Sequence, residues 1–377
     1  MDFKAANEYL SGLVSYEKRR DFKIEDLNLE NVKKVLDDFC DGWKGIKYVH
    51  VAGSKGKGSV SHLISDYLVR SGRKTGLFTS PHVVSICERL RVNGADVTEA
   101  RFCELVDLLK ERGGKELTYF EALFVLAIKL FLLEGVEFAV LEVGLGGRLD
   151  TTNVVTPVVS VLSTVELEHT DILGDTLEKI LNEKMGIKKD GVPMVIGYQD
   201  QEVYRFLEGR DGLIFAEKKC GKCGDFREGN YNVAILALEA LLGSVDVVVF
   251  SDVIENFQLL GRFDIREIDG KWVVFDVAHT MNSISALIKQ LRFYFSDFDP
   301  VFLVSLMKDK NVDGILEKLS SVGEVNFVDC GEERAVFADE DCFSGYERLF
   351  GSLKKDQVLV VTGSFYLVGK ILRAYYK

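Results

Sequence analysis

The chain contains little proline and has no apolar stretch long enough to cross a membrane. Its 4 prolines among 377 residues give no basis for proline-stiffened linkers. The most apolar run, Leu123–Leu133, falls short of the roughly 20 residues that a membrane span requires, and it contains Lys129. Asp2, Lys4 and Glu8 near the start argue against a signal peptide. These features predict a cytoplasmic protein with no membrane partner.

Disulfide bonds are not expected either. The 7 cysteines are odd in number and scattered, whereas a disulfide framework requires pairs. Cys220 and Cys223 form a single C-x-x-C motif, but no second cysteine pair or nearby histidines follow it to complete a zinc site. The motif is more typical of a solvated turn, and a metal or redox site is the alternative.

Positive charge is scarce relative to negative charge. The chain has 59 acidic against 47 basic residues, which gives a formal net charge of −12 at pH 7. Such an excess disfavours nucleic acid and acidic lipid as partners. It still allows an anionic small molecule, because backbone N–H groups and a few lysines can form a local anion site.

Glycine is concentrated in one stretch that predicts such a site. An apolar strand ending at Ala52 is followed by Gly53, Gly56, Lys57, Gly58 and Ser59, and then by a helical pattern. Glycines between a strand and a helix let backbone N–H groups surround an anion, and the helix N-terminus adds partial positive charge. The lysine can reach phosphates and the serine can bind magnesium, although the spacing departs from G-x-x-x-x-G-K-S/T. The alternative is a glycine-rich turn with a solvated lysine.

Strand and helix patterns alternate along most of the chain. Buried strands are predicted at 46–52, 74–78, 138–143, 158–163, 192–196 and 213–215. Such alternation predicts a parallel sheet covered by helices on both faces. A chain of this length usually exceeds one core, and a second α/β pattern starts at strand 272–275. We therefore predict an α/β fold with a P-loop parallel-sheet domain at 1–258 and a smaller Rossmann-like α/β domain at 262–377.

Polar residues follow three of the predicted strands. Ser80 and Glu142 come at the ends of strands 74–78 and 138–143, and His169 follows strand 158–163. The carboxyl ends of parallel strands meet at one edge of a sheet, which is also where the glycine loop lies. Oxygen ligands beside phosphates suit magnesium. Taken alone, His169 is more typical of a loop histidine bonded to a backbone carbonyl, and Lys184 of an ordinary helix lysine.

In combination these motifs resemble the folylpolyglutamate synthase and dihydrofolate synthase family of the Mur ligase superfamily. The resemblance rests on ordered motifs at residues 51–59, 78–82 with 88–89, 141–150 with 152–153, 168–170 with 173–174, 183–187, 261–263, 276–279 and 361–364. It implies an ATP-dependent amide ligase in which ATP phosphorylates a substrate carboxylate and the amine of L-glutamate attacks the acyl phosphate. The substrate would be a folate or dihydropteroate. The first domain would bind ATP, the second would be the glutamate-ligase domain, and the chain would be a monomer.

The resemblance also assigns roles to single residues. Phosphate and nucleotide contacts would come from Gly53, Gly56, Lys57, Gly58, Ser59, Asn232, Arg262 and Asp276. Two magnesium ions would be held by Ser59, Ser80, Glu142, His169 and Lys184, the last matching a lysine that relatives convert to a carbamate. The substrate would contact Pro81, His82, Arg89 and Ser364. Lys57, Lys184 and His279 would be catalytic, with His279 and Ser364 orienting nucleotide or glutamate.

Several positions depart from the family pattern. Glu168 replaces the usual Asp before the histidine, and Ser54-Lys55 replaces the commoner Thr-Asn. Four alternatives therefore stay open beside folylpolyglutamate synthesis: dihydrofolate synthase activity, both activities together, an amide ligase for a non-folate acid, and a nucleotide-binding module without turnover.

Overall fold

The structure is a computed structural model, and it describes residues 1–15, 28–112, 114–217 and 226–376. The chain divides into two compact units. The first contains most of the described residues up to Phe257, and the second contains Val83–Ser85, Phe226 and the described residues from Gln258 onward. Each unit combines a largely parallel sheet with helices, so the predicted α/β fold class is confirmed.

The first unit is built on a mostly parallel sheet. Its strands are β1 (Lys47–Ala52), β2 (Thr75–Phe78), β3 (Leu90–Val92), β4 (Ala95–Asp96), β5 (Phe138–Glu142), β6 (Pro157–Leu162), β7 (Met194–Ile196) and β8 (Leu213–Phe215). In the described chain they are ordered β4-β3-β2-β5-β1-β6-β7-β8, and the neighbouring pairs from β2 to β8 are parallel. The short β3 and β4 strands pair antiparallel at one edge. Every strand predicted for this unit is present, close to its predicted bounds.

Helices pack on both faces of this sheet, as predicted. They are α1 (Phe3–Ser11), α2 (Leu29–Phe39), α3 (Lys57–Arg70), α4 (Glu99–Glu111), α5 (Tyr119–Leu133), α6 (Thr170–Leu173), α7 (Leu177–Met185), α8 (Gln201–Leu207), α9 (Phe226–Leu242) and α10 (Val247–Glu255). Successive residues of a strand point to opposite faces. Accordingly, Tyr48 and Leu141 join a core formed with α2, α4 and α5, whereas Val49 and Val140 join a core formed with α3, α9 and α10.

Local sequence signals set the start of the most apolar helix. Thr118 precedes α5, and Glu121 follows it at the spacing of a capping box. In the structure Glu121 Oε2 accepts the Thr118 N–H at 2.7 Å, and Thr118 Oγ1 accepts the Glu121 N–H at 3.3 Å. Both bonds satisfy N–H groups that a helix terminus would otherwise leave without partners.

The second unit is a smaller α/β layer structure. Its elements are β9 (Asp264–Ile268), β10 (Lys271–Phe275), α11 (Met281–Tyr294), β11 (Asp299–Val304), α12 (Val312–Ser320), β12 (Glu324–Phe327), α13 (Cys342–Ser352), β13 (Gln357–Thr362) and α14 (Phe365–Tyr375). The sheet order in the described chain is β12-β11-β13-β10-β9, with β9 antiparallel to β10. Phe275 and Val361 pack with α13 and α14 on one face, and Val274 and Val360 pack with α11 and α12 on the other.

The largely polar sequence after β2 predicts a loop that continues to Gly94. This prediction is wrong in part, because the segment contains strand β3, in which Leu90 pairs with Phe78 of β2. Cys220 and Cys223 lie outside the described residues. Among the described residues, no helix combines the length and the apolar character that crossing a bilayer demands.

Candidate active site

The glycine-rich loop joins the end of β1 to the start of α3. Gly53 and Gly56 have φ angles of 145° and 82°, which side chains disfavour. At Gly53 a Cβ would also lie 2.0 Å from Ser163 Oγ and 3.1 Å from the Ser163 backbone nitrogen, and at Gly56 a Cβ would lie 2.5 Å from the terminal Oδ1 of Asn230, which would have to move. Glycine is therefore required at both positions for this tight turn.

An anchoring segment, residues 163–166 after β6, holds the loop in place. The carbonyl oxygen of Thr164 accepts the Ser54 N–H at 2.6 Å, and its hydroxyl accepts the Lys55 N–H at 3.0 Å. Ser163 Oγ donates to the Lys55 carbonyl oxygen at 2.6 Å. These bonds occupy the N–H groups of Ser54 and Lys55. The first N–H groups of α3, in contrast, have no acceptor within the helix. The N-terminus of α3 is thus the part of the loop that can receive an anion.

Two lysine side chains converge on the Gly53 carbonyl oxygen. Lys57 Nζ donates to it at 2.9 Å, and Lys184 Nζ, from α7, donates to it at 3.1 Å. Lys184 also donates to Glu168 Oε1 at 2.8 Å, and only 2% of its side chain is exposed. Burial, reinforced by the positive charge of Lys57, lowers the pKa of Lys184 to about 8. Composition alone marks Lys184 as an ordinary helix lysine, but the fold places it beside the loop.

Glu168 is the acidic neighbour of both lysines. Burial by itself would raise the pKa of its carboxyl, but the charges of Lys184 and Lys57 outweigh burial and lower that pKa to about 2. The charge of the neighbouring His169 also lowers the pKa of this carboxyl. His169 is exposed, with a φ of 49°, immediately before α6.

Glu142, the last residue of β5, lies beside the start of α3. Its side chain is buried, and its carboxylate oxygens would be 3.5 and 3.6 Å from a Cβ placed on Gly58. Glu142 Oε2 accepts the Ser80 N–H at 3.1 Å. The structure therefore brings together Ser80, Glu142 and the loop, which come from three different strand ends, while the half-buried Ser59 follows Gly58 on the same helix turn.

Amino-acid side chains alone do not complete a metal centre in this region. Among the described residues, no three His, Cys, Asp or Glu side chains are grouped closely enough to hold a metal ion. A cation beside Glu142 would need further oxygen ligands from hydroxyl groups, water or phosphate. Magnesium commonly binds in this way, through one or two carboxylates and substrate phosphates.

The predicted substrate residues Pro81, His82 and Arg89 lie between β2 and β3. Arg89 Nε donates to His82 Nδ1 at 2.9 Å, and the guanidinium carbon lies 5.5 Å from the centre of the Tyr119 ring. Arg89 is almost fully buried, whereas Pro81 is exposed. The structure thus brings His82 and Arg89 into direct contact.

Two asparagines of α9 differ in their relation to the loop. Asn232, the predicted adenine contact, is half-buried on this helix. Asn230 is the one whose Oδ1 lies beside Gly56. Sequence reasoning missed Asn230, because no motif separates it from its neighbour two positions later.

In the second unit, Asp276 follows β10 and organises the backbone around it. Its Oδ2 accepts the Phe263 N–H at 2.7 Å, and its Oδ1 accepts the Ala278 N–H at 2.8 Å. The carboxylate thereby fixes the turn that carries the exposed Arg262, the residue before Phe263.

One aromatic ring brings further predicted residues of this unit together. Phe365 is the first residue of α14. The centre of its ring lies 5.0 Å from the Arg262 guanidinium carbon and 5.9 Å from the centre of the His279 ring. His279 Nδ1 is 2.8 Å from the Val277 carbonyl oxygen. Ser364 is buried and caps α14 by accepting a backbone N–H. Sequence reasoning missed Phe365, although its position directly after Ser364 in a predicted motif was a usable signal.

The loop, the parallel sheet and the buried Glu142 and Lys184 define the class to which the first unit belongs. The family model of the Mur ligase middle domain matches residues 51–211, which include the glycine loop, Glu142 and Lys184. Within that class, the dihydrofolate synthase/folylpolyglutamate synthase of Escherichia coli strain K12 is 31% identical over 83% of this chain and 80% of its own length. The chain belongs to the dihydrofolate synthase/folylpolyglutamate synthase family, and the resemblance inferred from the motifs is confirmed.

Other relatives match over different lengths. A folylpolyglutamate synthase of Arabidopsis thaliana is 42% identical over 55% of this chain, and the match spans 38% of that enzyme. Escherichia coli FolC in complex with DHPP and ADP has a TM-score of 0.86 at 26% identity, covering 99% of this chain and 97% of that chain. A bifunctional folylpolyglutamate synthase/dihydrofolate synthase with Mn, AMPPNP and L-glutamate bound has a TM-score of 0.84 at 25% identity, covering 100% and 98%.

Proposed function

We propose that this chain is an ATP-dependent amide ligase that adds L-glutamate to a folate, as a tetrahydrofolylpolyglutamate synthase does. The observation that carries the proposal is the gathering of Lys57, Lys184 and Glu142 at the N-terminus of α3. Relatives of the same fold were solved with ADP and DHPP, or with AMPPNP, Mn and L-glutamate. Residues 1–258 would form the ATP-binding domain and residues 262–377 the glutamate-ligase domain of a cytoplasmic monomer.

The reaction would proceed in two balanced steps. The substrate carboxylate attacks the γ-phosphorus of ATP, the bond to the bridging oxygen breaks, and ADP leaves. The amine of glutamate then attacks the acyl carbon, an amide forms, phosphate leaves, and the amine nitrogen loses a proton to solvent. The protein would contribute mainly positioning and charge stabilisation, which provide most of the rate enhancement in phosphoryl transfer.

The residues of the two units would divide this work. In the first unit, the N–H groups at the start of α3 and Lys57 would bind the phosphates. His82 and Arg89, with the exposed Pro81, would contact the folate, and Asn232 the adenine. In the second unit, Arg262, Asp276, His279 and Ser364 would orient nucleotide or glutamate.

The donors beside the loop fit a first magnesium ion. The buried carboxylate of Glu142 and the hydroxyls of Ser59 and Ser80 are oxygen ligands, the type that this hard cation prefers. A magnesium ion bound there would neutralise part of the negative charge of the phosphates, which would otherwise repel the two anionic substrates. The exposed His169, next to Glu168, would be a ligand of a second magnesium ion.

Lys184 fits a second ion only after a chemical change. As an ammonium group it donates to Glu168 and to the Gly53 carbonyl, so it offers no lone pair to a cation. A neutral amine can add carbon dioxide to form a carbamate with release of a proton, and the lowered pKa of Lys184 increases the neutral fraction near physiological pH. The resulting anion would supply an oxygen ligand at the place where a cation now lies.

A product assay tests the proposal. The protein is incubated with ATP, magnesium, L-glutamate and a panel of pteroates and folates, and products are identified by mass. A gain of one or more glutamyl units on a folate, with ATP hydrolysis that requires both folate and glutamate, supports it. Gain on dihydropteroate alone would indicate dihydrofolate synthase activity, and gain on both would indicate a bifunctional enzyme. Nucleotide binding without product would indicate a binding module.

A further inference from the structure

Gln199 is a buried amide that none of the motifs includes. It follows β7, and only 2% of the residue is exposed. Its Oε1 accepts the Val165 N–H at 2.8 Å, and its Nε2 donates to the carbonyl oxygens of Ser163 and Gly197 at 2.9 and 3.0 Å. Both amide hydrogens are thus used, and the network fixes which end of the amide is the donor.

Two of these three partners belong to the anchoring segment. Gln199 therefore binds the backbone of this segment at Ser163 and Val165. On the loop side, Thr164 takes the N–H groups of Ser54 and Lys55, and Ser54 Oγ accepts the Glu166 N–H at 3.0 Å. Hydrogen bonds from Gln199 and from the glycine loop therefore both fix the position of the anchoring segment.

The same segment also leads into the ion pair. Two residues after Glu166 the chain reaches Glu168, whose carboxylate accepts from Lys184. A displacement of residues 163–166 would therefore shift the glycine loop and the partner of Lys184 together. Binding sites tolerate displacements of only about 0.5 Å before affinity is lost.

We propose that Gln199 is a positioning residue of the nucleotide site, which acts by fixing the anchoring segment and through it the glycine loop. The inference rests on the proposed function only in taking a nucleotide as the ligand of the loop. Gln199 has no role in the chemistry itself, and it would not touch the ligand. In metal sites, loss of a side chain that supports a ligand from outside typically costs about 10- to 100-fold in metal affinity or activity, and we expect an effect of that order here.

Gln199→Glu is the sharpest variant. It keeps the size of the side chain and the acceptor for Val165, but an oxygen replaces the NH₂ group and faces the carbonyl oxygens of Ser163 and Gly197. Unpaired buried acceptors are costly, so the segment should move. Gln199→Met is the second variant, since it removes all three bonds without adding charge and fills a similar volume. Gln357→Glu is the matched control, because the bond of Gln357 within the described chain is the one its Oε1 accepts from the Lys354 N–H, which glutamate retains.

The measurement is the Kd for ADP with magnesium, by calorimetry, at a temperature where circular dichroism shows each protein folded. We expect Gln199→Glu and Gln199→Met to weaken ADP binding by about tenfold or more, with Gln357→Glu within about twofold of the original chain. If Gln199→Met lowers the melting temperature yet binds ADP as tightly as the original chain, Gln199 is merely structural and the inference is overturned. If the original chain itself fails to bind ADP, the proposed function fails instead, and the two failures are thereby distinguished.

Discussion

Lys184 Nζ and Glu168 Oε1 lie 2.8 Å apart, with Lys57 as a second positive charge nearby. The pair couples α7 to the chain that follows β6. Removing either partner would break the ion pair and leave the other side chain partly or wholly buried, which destabilises proteins more than the intact pair stabilises them. The pair therefore links the proposed chemistry of Lys184 to the stability of the first unit.

Lys57→Ala and Lys184→Ala should each abolish ligation in a chain that still folds. For Lys184→Ala we also expect a loss of about 3 kcal/mol in the free energy of unfolding, because Glu168 loses its partner. Ligation by product mass and urea unfolding measure the two effects. Lys179→Ala is the matched control on the same helix, since Lys179 pairs with Asp175 in solvent. Near-original turnover in Lys184→Ala would remove the carbamate proposal.

Gly56→Ala should weaken nucleotide binding. Gly56 combines a φ of 82° with a Cβ position 2.5 Å from the terminal Oδ1 of Asn230, so alanine would strain the backbone of the loop and displace the Asn230 side chain. Gly72→Ala isolates the first effect, because Gly72 has a φ of 77° and no atom within 4 Å of its Cβ position. We expect Gly72→Ala to lose about 1–2 kcal/mol of stability and keep its affinity for ADP. Equal ADP affinity in the two variants would contradict the assignment of the loop.

Glu142→Gln should raise the concentration of magnesium or manganese needed for half-maximal ligation. The amide keeps the shape and an acceptor for the Ser80 N–H, but it removes the negative charge that would hold the cation. We expect a shift of about tenfold or more, measured as ligation rate against metal concentration. An unchanged metal requirement would show that Glu142 is not a ligand.

The buried His50 should make the free energy of unfolding decrease in acid. This side chain is fully buried in β1, with Nε2 2.7 Å from Thr152 Oγ1 and Nδ1 unpartnered within the described chain, and burial lowers its pKa from 6.5 to about 3. Below pH 6.5 the unfolded chain binds a proton that the folded chain does not, so the free energy of unfolding decreases as pH falls toward about 3. The decrease approaches about 1.4 kcal/mol per pH unit. Urea unfolding between about pH 7 and pH 5 should show a shallower slope in His50→Gln, and an identical slope would contradict this account.

Much of the fold could be predicted because its signals are local. The buried strands, the glycines after Ala52 and the Thr118–Glu121 capping box each lie within a few residues of sequence. Strand β3 could not be predicted, since three residues are too short for a periodic pattern and their pairing with β2 depends on the chain folding back. Its polar flanks indicated a loop instead.

The site was less accessible to sequence reasoning than the fold. Family resemblance indicated Lys184, but not its pairing with Glu168, which lies 16 residues away and is brought near by α6 and the turn that joins it to α7. Three further residues lie outside the predicted motifs. Their importance depends on contacts in the folded chain: Asn230 approaches the glycine loop, Phe365 approaches Arg262, and Gln199 binds the anchoring segment. Such relationships exist only in the folded chain.

The central claim is that the substrate carboxylate is activated by phosphorylation, and oxygen transfer tests it most directly. A folate whose reacting carboxyl carries oxygen-18 at both oxygens is ligated to L-glutamate with ATP, and the released phosphate and the amide product are weighed by mass spectrometry. The account predicts that, for each amide formed, one labelled oxygen appears in inorganic phosphate and one stays in the amide. Unlabelled phosphate accompanying amide formation would contradict it.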